Sequence, residues 1–161
     1  GAAYLYFQPT FIETSMFKHI LLATDGSAAS EHAANMAVEL ARTHQATLTV
    51  VFVVDPYPYM GIGEANPLGF DAYMSAAQAQ AAAAHSHVAD LCNQGGAPVA
   101  MQARMLENVG AASGIVQTAK TEGADLIMVG SHGRSGIARL MLGSVAGRVV
   151  SESPVPVLVV R

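Results

Sequence analysis

The sequence predicts an α/β fold: a doubly wound parallel sheet of five strands with helices on both faces. Three observations lead there. Apolar, β-branched runs recur along the chain and alternate with stretches of helical periodicity. The runs ATLTVVFVV (46–54) and ADLIMVG (124–130) are apolar on successive residues, as strands covered on both faces are. Crossovers between parallel strands are right-handed, which leaves a doubly wound sheet as the natural solution.

FKHILLA (17–23) reads as the first strand and TDGS as the turn into a helix. Ser27 or Ser30 is placed to accept from that helix's first unpaired amides. Apolar residues at Ala33, Met36, Ala37, Leu40 and Ala41 mark the helix as far as His44. The second strand is 46–54. DPYPYMGIGEANPLG (55–69), with three prolines and three glycines, reads as a long irregular loop.

The segment 70–94 carries a heptad pattern, with Phe70, Ala77, Ala84 and Leu91 in one seam position and Met74, Ala81 and Val88 in the other. QGG stops it. PVAMQARML (98–106) is the third strand, 109–123 a helix ending at Gly123, and 124–130 the fourth strand. A helix from Ser144 to Glu152 leads to the last strand, PVPVLVV (154–160). Pro156 suits only an edge. An apolar edge needs cover, so two copies are expected to pair their final strands about a two-fold axis, unless the chain's own C-terminal residues cap the strand.

At 161 residues, 52% hydrophobic and 12% charged, the chain reads as one domain over 16–161. Residues 1–15 read as an added or disordered leader: YLYFQPT resembles a protease-cleavage linker, and MFKHILLATDGS a natural start. No apolar run approaches the ~20 residues of a membrane-spanning helix. A net charge of −4 argues against non-specific nucleic-acid binding. The single cysteine, Cys92, excludes an internal disulfide and fits a reducing cytoplasm; it reads as a small core residue on a helix.

The chemistry concentrates in GSHGRSGIARLMLGS (130–144), which holds four glycines, two arginines and no acidic residue. Gly130, Gly133 and Gly143 stand as G-x2-G-x9-G, followed by Ser144. Glycine lets an anion approach the backbone, and successive amides form an anion-binding nest. The helix start after Gly143 adds unpaired donors and the positive end of its dipole. Ser144 offers a hydroxyl, and Arg134 a permanent charge that fits either a phosphate contact or a solvated loop. Three of the eight basic residues (Arg134, Arg139 and Arg148) fall between 134 and 148. Neither the P-loop nor the dinucleotide fingerprint is present. Spacing alone is equally that of a structural turn; position after a strand, charge and Ser144 point to phosphate. Asp25, at a strand's carboxyl end, suits ribose hydroxyls and suits capping of the following helix.

These residues resemble the universal stress protein (UspA) family. ILLATDGS, ADLIMVGSHGRSG, LMLGSVAGRVV and PVPVLVV look like its characteristic stretches, and G-x2-G-x9-G-[ST] like the mark of its ATP-binding branch. The resemblance implies strand order 3-2-1-4-5, an adenine nucleotide alpha hydrolase-like fold, and a dimer. It implies that Ala23, Thr24 and Asp25 meet ribose and adenine and that Val53 meets the base through its backbone. Val129, Gly130, His132 and Gly133 would line the ribose and first phosphates, and Gly143, Ser144 and Val145 would hold the outer ones. ATP is the expected ligand, with any magnesium held mainly by its phosphates.

The loop 130–144 has no carboxylate to activate water, and Asp25 is expected at the ribose end, so a binding protein with at most slow hydrolysis is expected. A slow ATP hydrolase and a nucleotide-free dimeric interaction module are the alternatives. The histidines suggest no metal site: His85 and His87 stand two apart on a helix and diverge. Ser27 and His32 lack an elbow motif.

Overall fold

The computed structural model describes residues 15–57, 67–133 and 141–161. Arg134, Arg139, the 1–14 part of the leader and the middle of the 55–69 loop lie outside them. The strands are β1 (His19–Ala23), β2 (Thr47–Val53), β3 (Met101–Leu106), β4 (Leu126–Gly130) and β5 (Val157–Val160). Between them run α1 (Ala28–His44), α2 (Pro67–Asn93), α3 (Ala111–Glu122) and α4 (Ser144–Glu152).

All pairs are parallel, in the order β3-β2-β1-β4-β5, with Ile20 level with Leu48 and Leu126. Strand periodicity explains the continuous apolar runs. Ile20, Leu22, Leu48, Val50 and Met128 pack under α1 and α2; their neighbours Leu21, Val51, Ile127 and Val129 pack under α3 and α4. The edge strand β3 departs from that rule, since Gln102, Ala103 and Arg104 are exposed. Asp125 fixes the start of the central pair: its carboxylate accepts from the amides of Lys18 (2.8 Å) and His19 (3.2 Å).

The helices refine the expected pattern. The buried stripe of α1 is Ala33, Ala34, Ala37, Val38 and Ala41, while Met36 lies outside it on the exposed side. Ala34 and Val38 complete the stripe because a core-facing helix buries more than one narrow seam. Helix α2 begins at Pro67, three residues earlier than the heptads indicate, and proline suits a first turn. Its seam residues Ala77, Ala81, Ala84 and Val88 are buried, with Cys92 beyond them. Phe70, the first heptad position, stays exposed. Among the described residues no helix is long and apolar enough to cross a membrane.

One polar ring lies in the α2 layer. Burial lowers the pKa of His85 from its ordinary 6.5, the nearby backbones of Arg104 and Val50 acting in the opposite sense. Folding therefore favours the neutral ring, and the unfolded chain binds the extra proton. That contribution is complete above pH 6.5 and is lost as pH falls from there through the lower folded-state value. Urea midpoints should decline over this window, and His85→Gln should flatten that part of the profile. An identical slope in the variant would refute the assignment.

Candidate functional site

The winding reverses between β1 and β4, where the chain leaves the sheet in two directions; in such sheets this is where a crevice opens beyond the strand ends. A hollow of about 320 Å³ lies there. The end of β1 and the turn after it supply Ala23, Thr24 and Asp25, and β2 supplies Val53. The end of β4 supplies Val129, Gly130, His132 and Gly133, and the start of α4 supplies Gly143, Ser144 and Val145. The residues singled out from sequence thus converge on one cavity, apart from Arg134, which lies outside the described residues.

The loop ends are tied to the sheet. Ser131 donates its amide to the Val160 carbonyl at 2.7 Å, extending the β4–β5 ladder by one rung. Its own carbonyl accepts the Gly143 amide at 2.8 Å. That second bond places the N-cap of α4 beside the end of β4 and explains the glycine. A Cβ on Gly143 would stand 2.9 Å from the Ser131 carbonyl oxygen. The next amides, of Ser144, Val145 and Ala146, form no hydrogen bond with any described residue. They are the orphan donors of a helix N-terminus, and they border the hollow.

Asp25 sits on the opposite wall in an Asx turn. Its Oδ1 accepts from the Ser27 amide at 2.9 Å and the Ser27 hydroxyl at 2.5 Å. Gly26 holds the turn at φ +72°, a conformation costly for other residues, and a Cβ there would meet Ala84 of α2 at 3.3 Å. The expected capping of α1 by Ser27 or Ser30 is not what forms. Ser27 occupies the N-cap position without a side-chain cap bond. Its hydroxyl prefers the charged acceptor next to it. The Ser30 hydroxyl donates to the Ser27 carbonyl at 2.9 Å, so in the 3.0 Å contact between Thr24 and Ser30 it is Thr24 that donates. Asp25 Oδ2 faces Gly133, where a Cβ would come within 3.1 Å of it.

Sequence reasoning passed over several lining residues. Asp55, two residues past β2, puts a second acidic residue into the hollow. Tyr73 holds that backbone by donating to the Asp55 carbonyl at 2.7 Å. Ala111 and Ile115 of α3, with Val51, add apolar wall. Position just beyond a strand's carboxyl end was the available signal for Asp55; the α3 residues had none. Arg148 does not join the site: it pairs with Glu152 at 3.0 Å on the surface of α4. Among the described residues no three His, Cys, Asp or Glu side chains gather as a metal site would require. A larger hollow, about 600 Å³, lies between α1 and α2, lined by Asp25, Glu31 and His87, and it does not include the start of α4.

An open parallel sheet with a crevice at its reversal point, acidic residues on one wall and unpaired amides on the other, defines a doubly wound α/β domain of the kind that seats ligands beyond its strand ends. Comparison with known proteins specifies which. The family model for universal stress proteins matches residues 16–161, and the chain belongs to that family. It is 34% identical over 147 residues to universal stress protein MJ0531 of Methanocaldococcus jannaschii, covering 91% of this chain and 84% of that protein. UspA from Lactobacillus plantarum superposes with a TM-score of 0.69 at 27% identity, over 89% of this chain and 97% of the other. A universal stress protein solved in complex with cAMP superposes with a TM-score of 0.56 at 26% identity, over 90% and 97%.

The glycine requirement can be tested without a ligand. Gly143→Ala should destabilise the chain by ~1–3 kcal/mol, since a backbone carbonyl must give way. Gly147→Ala, whose Cβ would meet only Leu142 at 3.7 Å, should be neutral or stabilising as a helix-interior replacement. Equal melting temperatures for the two variants would refute the close approach at Gly143.

Proposed function

We propose that this protein binds ATP in the hollow at the β1–β4 crevice and acts as a nucleotide-responsive regulator or scaffold in the cytoplasmic stress response. The observation that carries the reading is the set of unpaired amides of Ser144, Val145 and Ala146 facing a glycine-edged cavity. Unpaired donors at a helix N-terminus call for an acceptor, and a phosphate chain supplies several. The opposite wall suits the other end of a nucleotide. Carboxylates accept from ribose hydroxyls and disfavour phosphate, so the two walls together orient the ligand. Apolar Val51, Val53, Ala111 and Ile115 offer a surface for a base. The complex of a relative with cAMP supports a nucleotide in this family. Magnesium, where present, would be held mainly by the phosphates, the described residues offering it no cluster of their own.

Isothermal titration with ATP tests the assignment. Ser144→Ala should weaken binding by ~1.5–3 kcal/mol, the scale of one hydrogen bond to a charged group. Wild-type protein that yields no adenylate on extraction and no heat with ATP would refute it.

The same reading extends to a homodimer through 154–160. β5 is an edge strand, and its Pro156 and Val160 carbonyls accept from β4. Alternation then turns the backbone of Val157 and Val159 to the open side. Leu158 and Val150 are exposed nearby. Sedimentation equilibrium at micromolar concentration should give twice the chain mass, and a monomer there would refute the pairing.

A further inference from the structure

We propose that Ser131 is a positioning residue: it sets the tautomer of His132 so that the imidazole presents an Nε2–H donor to an anionic oxygen of the bound nucleotide. This rests on the nucleotide reading of the same hollow and adds to it a side-chain donor with a defined proton position.

Ser131 is held through both of its backbone groups. Its amide is bonded to Val160 at 2.7 Å, its carbonyl to Gly143 at 2.8 Å, and the residue is only 8% exposed. Its hydroxyl lies 2.9 Å from His132 Nδ1. For the neutral ring two proton arrangements satisfy that contact. In one, Ser131 donates to a bare Nδ1 and the ring proton sits on Nε2. In the other, Nδ1–H donates to the serine oxygen and Nε2 carries a lone pair.

The other ring nitrogen discriminates between them. Nε2 is buried and has no hydrogen-bond partner among the described residues, and His132 lines the hollow beside the unpaired amides of α4. A buried ring nitrogen left this way is unfavourable and calls for a partner. An anionic oxygen drawn to those amides accepts one more N–H, whereas a bare Nε2 would repel it. Between the two neutral forms, the loaded hollow therefore selects the one in which Ser131 donates. The clamped backbone of Ser131 means the hydroxyl is in place before the ligand arrives, so little side-chain freedom is lost on binding.

Long-range 1H–15N spectra of the full chain, labelled at histidine, read the tautomer directly. The His132 signals are assigned by their loss in His132→Gln, and the spectra are taken with and without ATP. In the ATP complex the Nε2–H form is expected to dominate. Ser131→Ala should give a mixture of tautomers and an ATP dissociation constant raised about three- to tenfold, on the scale of one neutral hydrogen bond. Ser131→Thr, which keeps the hydroxyl, should restore both readouts, as a merely structural contribution of serine would not require. An Nδ1–H ring in the wild-type complex overturns the proposal while leaving nucleotide binding intact. So does Ser131→Ala with unchanged tautomer and affinity. Wild-type protein that binds no ATP overturns the site reading and this proposal together. The wild-type spectra decide the matter even if Ser131→Ala does not fold.

Discussion

The pair of backbone bonds at Ser131 is the constraint on which the site depends. One bond, to Val160, belongs to the sheet; the other, to Gly143, belongs to the entry of α4. Together they make the end of β4, the end of β5 and the start of α4 a single unit. The helix could otherwise begin anywhere along a glycine-rich loop, and its orphan amides would then face solvent. Held as they are, those amides border the same cavity as Asp25 and Val53. The requirement for glycine at 143 follows from this closeness, because a side chain there would displace the carbonyl that makes the bond.

The opposite wall is organised by a different economy of donors. Asp25 spends Oδ1 on Ser27, closing a turn that lets β1 run into α1. The carboxylate closes this turn and does not cap the first turn of α1, which has no side-chain cap bond. The turn also carries Gly26 close against Ala84, so the geometry of the crevice is coupled to the packing of α2. A substitution in the small-residue seam of α2 would reach the site by this contact.

The sheet is largely legible in sequence because burial on both faces leaves a simple trace, and β2 and β4 show it. β3 is less legible: an edge strand needs to be apolar on one face only, and Gln102 and Arg104 blur the pattern. In α1 a spacing argument finds the stripe but misassigns Met36, because periodicity alone does not fix the rotation of a helix to within one residue. In the site, the glycine spacing identifies the loop, since close backbone approach leaves few other choices of residue. Asp55 and Ser131 are not legible in that way. Their roles depend on a bond between distant segments, the Tyr73 hydroxyl in one case and the Val160 and Gly143 backbones in the other. No local pattern encodes a partner 12, 18 or 29 residues away.

The proposed binding of a nucleotide would couple ligand to stability in this protein. Its core is well satisfied: Thr49, fully buried, donates to Glu122 at 2.9 Å and accepts from His19 at 2.7 Å. Among the described residues unmet hydrogen-bonding capacity lies at His85 Nε2 in the α2 layer and, at the crevice, in the first amides of α4 and in His132 Nε2. A polyanion there satisfies groups that the protein alone leaves wanting, and it does so only in the folded state, because the unfolded chain hydrates the same amides individually. Binding free energy then adds to folding free energy in proportion to ligand saturation. Under the proposed function, a fold arranged in this way would report nucleotide concentration through its own stability. Regulation needs no catalytic carboxylate for that, only a difference between the loaded and unloaded surface around α4, where Val145 and Val150 stand exposed to any partner that reads it.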